Sequence, residues 1–179
     1  KRIIYKSNQE KITLFLDNIL QLPDHKLSET ILVMRLKLAL ELKQNAVAER
    51  CALRIMEEFP GSPQKPDAIR ALAAAAWRGN PPKYRLTADF LRRLSKLEKK
   101  PDERNRLSLQ VADCHFLAGD YESAAALYLE VHSSAKSRLI SNRALFRAIS
   151  SLLATDDIEK SIDLLDEFSN VEPFDELPW

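Results

Sequence analysis

Residues 117–128 read Leu-Ala-Gly-Asp-Tyr-Glu-Ser-Ala-Ala-Ala-Leu-Tyr, and this short stretch decides the fold. An apolar helical pattern ends at Gly119 and begins again at Tyr121. Two helices therefore fold back on each other through a very short turn. Such a hairpin cannot bury all of its apolar surface alone, so it needs neighbouring hairpins stacked against it. The stretch therefore predicts an array of helical hairpins and favours an interaction surface over a catalytic site.

The composition supports a nearly all-helical protein. Of the 179 residues, 45% are apolar and 30% are charged, which is typical of a folded domain rather than a disordered chain. Only three glycines occur, and each lies where the helical period breaks, while no segment shows sustained alternation of apolar and polar residues. The predicted fold class is all-α.

The sequence also bears on membrane insertion, processing and redox chemistry. No apolar run approaches the ~18 residues that a membrane span requires, so we expect no membrane insertion. The chain begins with Lys1 rather than methionine, which indicates a fragment or a processed form. Cys51 and Cys114 are expected to be small buried side chains rather than a redox pair. These features predict a soluble protein and leave its compartment open.

The turn and the helix after it resemble the tetratricopeptide repeat. In that family the second helix of each hairpin opens with a Gly-Asp-Tyr-Glu type turn, then places a small residue against the first helix and an aromatic residue one turn later. Gly119, Tyr121, Ala124 and Tyr128 occupy those positions. The resemblance implies a right-handed superhelix, or solenoid, of paired helices with a concave groove that binds segments of other proteins.

The small residue at Ala124 has predicted counterparts along the chain. They are Ala48, Ala88 and Ser161, and the four positions are separated by 40, 36 and 37 residues. The tetratricopeptide period is about 34 residues. We therefore predict one repeat domain over 1–179, in which four hairpins follow an extra helix at 7–22 and precede a tail at 170–179. The hairpins are 28–59, 65–98, 101–133 and 137–169.

Breaks in the helical pattern place the helices within these hairpins. Pro60 marks a firm helix end, and Pro101 suits the first turn of a helix. Ser7 with Glu10, and Asp156 with Glu159, have the spacing of N-terminal capping boxes. The predicted hairpin helices are 28–42, 46–59, 67–78, 83–97, 101–117, 121–132, 137–153 and 157–169.

The sequence contains no motif for a catalytic or metal site. It has no glycine-rich phosphate loop, no His-Glu-x-x-His or paired-cysteine metal spacing, and no Gly-x-Ser-x-Gly nucleophile turn. Cys114 and His115 are adjacent, and adjacent helical residues point about 100° apart, so they cannot hold one ion together. We predict that the protein is not an enzyme and uses neither a metal nor another cofactor.

Charge is distributed unevenly along the chain. Residues 83–106 contain nine basic and four acidic residues, whereas residues 151–179 contain nine acidic residues and one lysine. Exposed helix faces carry charge for solubility, and this alone explains much of the basic band. Nucleic-acid binding is not favoured, because the basic band shows neither interleaved exposed aromatic residues nor a recognition helix. The other candidate partner is an acidic protein segment.

The resemblance also implies which side chains face the groove. They project from the first helix of each hairpin, which presents arginine beside phenylalanine, a combination favoured at binding hot spots. The alternative is that Phe116 and Phe146 only pack between hairpins. The predicted partner-binding residues are Arg106, Leu109, Asp113, Phe116, Arg143, Phe146, Lys37 and Arg78, with Leu117, Ser150 and Leu153 beside them.

These features favour a non-catalytic scaffold that binds a partner peptide, helix or subunit in its groove. One alternative is an accessory domain of a bacterial envelope, polysaccharide-export or enzyme assembly, because residues 55–63 are similar to the helix ends of envelope proteins of this family. A second alternative, a nucleic-acid-associated helical protein, rests on the basic band. The tail carries the apolar residues Phe174, Leu177 and Trp179. We therefore also predict that it docks on its own last hairpin or on a second molecule.

Overall fold

The computed structural model describes residues 2–20 and 28–169. Those residues form nine α-helices and contain no β-strand, which confirms the predicted all-α class. Both ends of every predicted hairpin helix lie within two residues of the observed ends. The helices are α1 (Arg2–Leu20), α2 (Ser28–Glu41), α3 (Asn45–Glu58), α4 (Lys65–Trp77), α5 (Tyr84–Leu97), α6 (Pro101–Leu117), α7 (Tyr121–Ser134), α8 (Arg138–Leu153) and α9 (Ile158–Ser169).

The chain divides into two compact units between Gly79 and Asn80. The first unit contains α1 to α4 and the second contains α5 to α9. Within each unit every helix packs against the next one along the chain. The predicted 65–98 hairpin, and the single repeat domain to which it belongs, span the boundary between the units and stay predictions.

One type of turn joins the two helices of three hairpins. Each turn has a single residue in the left-handed region: Lys43 (φ 57°), Gly119 (φ 76°) and Asp156 (φ 58°). The amide of the following residue donates a hydrogen bond to the carbonyl five residues earlier, which closes the end of the first helix. Those bonds are Gln44 to Ala39 (2.8 Å), Asp120 to His115 (2.9 Å) and Asp157 to Leu152 (3.1 Å).

The spacing of these turns gives the repeat length directly. Lys43 and Gly119 are 76 residues apart, and Gly119 and Asp156 are 37 residues apart. The interval of 76 residues is twice 38, so both intervals are close to the predicted separations of 36 to 40 residues between hairpins. The consecutive packed helices are therefore compatible with a helical repeat.

The small residue at the helix crossing lies four residues after the residue that immediately precedes each second helix. At that position Ala48, Ala124 and Ser161 are all buried, with at most 1% of their surface exposed. In α5, which follows Lys83, the same position belongs to Thr87 and not to the predicted Ala88. The prediction was one residue out of register because alanine was preferred over threonine.

Two observations support Thr87 at that position. Its Oγ1 donates to the carbonyl of Lys83 at 3.0 Å, as the Oγ of Ser161 does to Asp157 at 2.8 Å. The residue one turn later is Leu91, whereas Ala88 is followed at that distance by Arg92. Ala88 is also buried, and it packs against α6 beside Val111 and Cys114.

Both predicted capping boxes were wrong. The helix α1 begins at Arg2, so Ser7 lies inside it, and the structure describes the helix to Leu20. A capping box specifies only two residues, so its spacing also occurs by chance inside helices. At the other site Asp156 belongs to the turn, and Asp157 precedes α9, accepting from the amide of Lys160 at 3.4 Å.

The main core of the second unit lies where α6, α7 and α8 meet. The residues that fill it are small or medium in size except for one tyrosine, so the helices approach closely. Its members are Leu109, Ala112, Ala124, Tyr128, Val131, Ile140, Ala144 and Ala148.

The substitution Ala124→Leu is expected to lower the free energy of unfolding by about 1–3 kcal/mol, because extra side-chain volume must be forced into this packed crossing. The matched control is Ala126→Leu, the same change at an exposed position on the same helix. Urea denaturation followed by circular dichroism measures both. Equal stabilities for the two variants would show that Ala124 does not lie at a tight crossing.

Candidate interaction grooves

Four of the predicted binding residues line one groove, between α6 and α8. This α6–α8 groove has a volume of about 340 Å³. Both helices are predicted first helices of their hairpins. The lining residues are Arg106, Leu109, Gln110, Asp113, Ser137, Leu139, Ile140 and Arg143.

The floor of the α6–α8 groove is apolar and fixed by the core. Leu109 and Ile140 are 6% and 5% exposed, and both belong to the core cluster. Asp113 is held from below, because the hydroxyl of the fully buried Tyr128 donates to its Oδ1. Burial and this carboxylate raise the pKa of Tyr128 above its ordinary value. One oxygen of Asp113 is therefore committed to the core.

The rim of the α6–α8 groove is basic. Arg106 is 62% exposed at its side chain, and it pairs with Glu103 one turn earlier at 3.2 Å. An exposed pair of this kind contributes only about 0–1 kcal/mol, so a ligand can replace it at little cost. Arg143 is also exposed, and within the described residues it makes no ion pair. Both guanidinium groups can therefore contact a ligand.

Phe116 and Phe146 do not line this groove. Phe116 is partly buried against the core and meets Tyr121 edge to face, with ring centroids 5.1 Å apart. This packing is the alternative that the sequence left open for Phe116. Phe146 is 54% exposed, and its ring centroid lies 6.2 Å from that of Phe168 in α9. The side chain of Phe146 is thus on the side of α8 that faces the last helix.

The two remaining predicted residues meet in a second groove, within the first unit. Lys37 and Arg78 are exposed lining residues, and Asp67, which also lines the groove, pairs with Arg70 at 2.9 Å. The groove lies between α2 and α4 and has a volume of about 430 Å³. It is lined by Val33, Leu36, Lys37, Leu40, Gln64, Asp67, Arg70, Ala71, Ala74 and Arg78.

A polar network that the sequence did not predict connects α5, α6 and the turn before α7. Nη2 of Arg92 lies 3.1 Å from Nε2 of His115, and Nδ1 of His115 lies 2.9 Å from Oδ2 of Asp120. Arginine can only donate, so Nε2 accepts and Nδ1 carries the proton that it donates to Asp120. That hydrogen bond, with a weaker one from Ser123, lowers the pKa of Asp120.

This network fixes the start of α7. Asp120 is the residue before α7, and its other oxygen accepts from the amide of Ser123 at 3.3 Å. The carboxylate therefore caps one helix while it orients an imidazole from the preceding helix. The only signal in the sequence was the aspartate immediately after Gly119, which indicates a cap but not its histidine partner.

The cysteines are buried as predicted. Cys51 is 6% exposed and Cys114 is 2% exposed. Burial raises the pKa of both thiols, and that of Cys114 reaches about 11. A thiol with so high a pKa is protonated at neutral pH and is a poor nucleophile. Both side chains therefore act as packing residues.

A buried ion pair in the first unit was also absent from the prediction. Arg35 of α2 is 3% exposed, and its Nε and Nη2 donate to Asp17 of α1 at 2.7 and 3.3 Å. Its Nη1 donates to Gln44, the residue before α3, at 3.3 Å. One arginine thus connects three consecutive helices.

Comparison with known proteins gives no relative: no family model, curated protein or solved structure matches the chain. In residues 2–20 and 28–169, no helix is both long and apolar enough to cross a bilayer. Across the same ranges, histidine, cysteine, aspartate and glutamate side chains form no group of three or more that could hold a metal ion.

Proposed function

We propose that this protein is a non-catalytic interaction scaffold of tetratricopeptide-like hairpins, wound as a right-handed superhelix. Its α6–α8 groove binds an extended segment of a partner protein that carries acidic side chains. The observation that supports the proposal most is the presence of two exposed arginines at the rim of a groove with an apolar floor.

The position of those arginines fits a repeated binding surface. Arg106 and Arg143 are 37 residues apart, which is the spacing of the turns at Gly119 and Asp156. They therefore occupy equivalent positions in consecutive hairpins. Arginine is enriched at binding hot spots, and basic groups around an apolar contact favour acidic partners and speed their association.

The α6–α8 groove can be tested with the double variant Arg106→Glu/Arg143→Glu. Peptides that bind the wild-type chain are first selected from a displayed random library at low salt, and we expect acidic sequences. The double variant should bind them at least about tenfold more weakly, because two attractive contacts become repulsive. Raised salt should weaken wild-type binding in the same direction.

The matched control is Arg50→Glu/Arg85→Glu, which makes the same change in charge at two exposed arginines outside the groove. The control should keep most of the affinity, and both double variants should keep wild-type helicity. If the two pairs of substitutions weaken binding equally, net charge and not the groove is responsible. If binding and helicity are lost together, the groove arginines are structural.

The other two functions stay predictions. A nucleic-acid role rests on the basic band at residues 83–106 alone. An accessory role in an envelope, polysaccharide-export or enzyme assembly rests on residues 55–63 alone. Self-association through the tail at 170–179 lies outside the described residues.

A further inference from the structure

The last hairpin exposes large apolar side chains on both of its helices. Ile158, Ile162 and Leu165 follow one another at helical spacing along α9 and are 51%, 52% and 44% exposed. Phe146, on the neighbouring helix α8, is 54% exposed and contacts α9 through Phe168. Phe146, Ile158, Ile162 and Leu165 together are called the α9 face below.

The preceding hairpin shows what covers this surface when a further helix is present. A shift of 37 residues, given by the turns at Gly119 and Asp156, relates the two hairpins. It places Leu109, Ala125 and Tyr128 at the positions of Phe146, Ile162 and Leu165. These three residues are only 6%, 4% and 0% exposed.

The helix α8 covers two of these residues, Leu109 and Tyr128, in the preceding hairpin. Its residues Ile140, Ala144 and Ala148 pack into the same cluster as Leu109 and Tyr128. The α9 face has the same apolar character at the corresponding positions, yet in the described residues no helix lies over it. Its geometry therefore fits an amphipathic helix that presents an apolar stripe.

Charge specifies the polar side of such a helix. Glu159, Asp163 and Asp166 are exposed on α9 and follow one edge of the α9 face. The single lysine of this helix, Lys160, is paired with Asp157 at 2.8 Å. By contrast, the covering helix α8 carries three arginines and no acidic residue. A helix with basic residues beside its apolar stripe would thus be complementary to the α9 face.

We propose that the α9 face docks a basic amphipathic α-helix of a partner protein, in the way that α8 packs on α6 and α7. Helix-in-groove recognition of this kind depends on apolar residues spaced one turn apart. The proposal concerns a different surface from the α6–α8 groove, and each can fail without the other.

The probe is a fluorescently labelled synthetic peptide with the sequence of residues 137–153, which has the apolar stripe and the arginines of α8. Its anisotropy is measured against the full chain. We expect saturable binding that Leu165→Asp weakens at least about tenfold, since a charge then replaces a central apolar contact. The matched control is Leu97→Asp, because Leu97 is 45% exposed and Leu165 is 44% exposed. The control should change the affinity less than about twofold.

A second pair of variants tests the basic side of the helix. Asp163→Lys should weaken binding about threefold and reduce its dependence on salt. Glu130→Lys makes the same charge change at an exposed site on α7 and should have little effect.

Three results would overturn the proposal. The first is that the peptide does not bind saturably. The second is that Leu165→Asp and Leu97→Asp weaken its binding equally. The third is a dimer in sedimentation velocity that Leu165→Asp dissociates, because the occupant of the α9 face would then be a second copy of the chain.

Discussion

Tyr128→Ala is expected to cause the largest loss of stability in the second unit, about 3–5 kcal/mol, because removing a large core ring leaves a cavity. Tyr128 is fully buried and packs among residues from α6, α7 and α8. Its hydroxyl also holds Asp113 at the edge of the α6–α8 groove. The ring therefore stabilises the core and positions a groove residue at once.

The variant Tyr128→Phe separates these two contributions. It keeps the ring but removes the hydrogen bond to Asp113, so we expect a loss of only about 1–2 kcal/mol. Urea denaturation followed by circular dichroism gives both values. If Tyr128→Ala is no less stable than Tyr128→Phe, the ring does not pack as described.

Asp17→Asn is expected to lower the free energy of unfolding of the first unit by about 3 kcal/mol, because it leaves the buried guanidinium of Arg35 without a compensating charge. The side chain of Arg35 is 4% exposed, whereas that of Asp17 is 44% exposed. Gln44 remains as a partner but is neutral.

The matched control for this pair is Asp67→Asn. Asp67 pairs with Arg70 at 2.9 Å, but both side chains are about half exposed. Such a pair contributes about 0–1 kcal/mol, so the control should be nearly neutral. Adding Arg35→Met to Asp17→Asn should restore part of the lost stability, because the unpaired charge is then removed. Equal effects of Asp17→Asn and Asp67→Asn would contradict a buried ion pair.

The sequence was informative where local chemistry alone determines structure. Gly119 favours a left-handed turn, and prolines end helices whatever packs around them, so the hairpin helices were located to within two residues. Equivalent turns at Lys43 and Asp156 were not identified as such, because neither residue is glycine. Their conformation is stabilised by the hydrogen bonds of the turn and by the packed helices on either side.

Contacts between helices could not be predicted in the same way. Arg35 interrupts an apolar run in the sequence, which suggests an exposed position, yet Asp17 allows it to be buried. His115 and Asp120 are five residues apart, and His115 contacts Arg92 only because α5 packs on α6. For the groove, the repeat spacing predicted that Arg106 and Arg143 project from equivalent positions. It could not predict that Phe116 packs against Tyr121 instead of lining the groove.

The most direct test of the scaffold proposal is to map backbone amide shifts by NMR while a library-selected acidic peptide is added to the full chain. The largest shifts are expected on α6 and α8, around the groove residues Gln110, Asp113 and Ile140. The Arg106→Glu/Arg143→Glu variant should abolish them at the same peptide concentration. Shifts that spare both helices, or that persist unchanged in the double variant, would contradict binding in the α6–α8 groove.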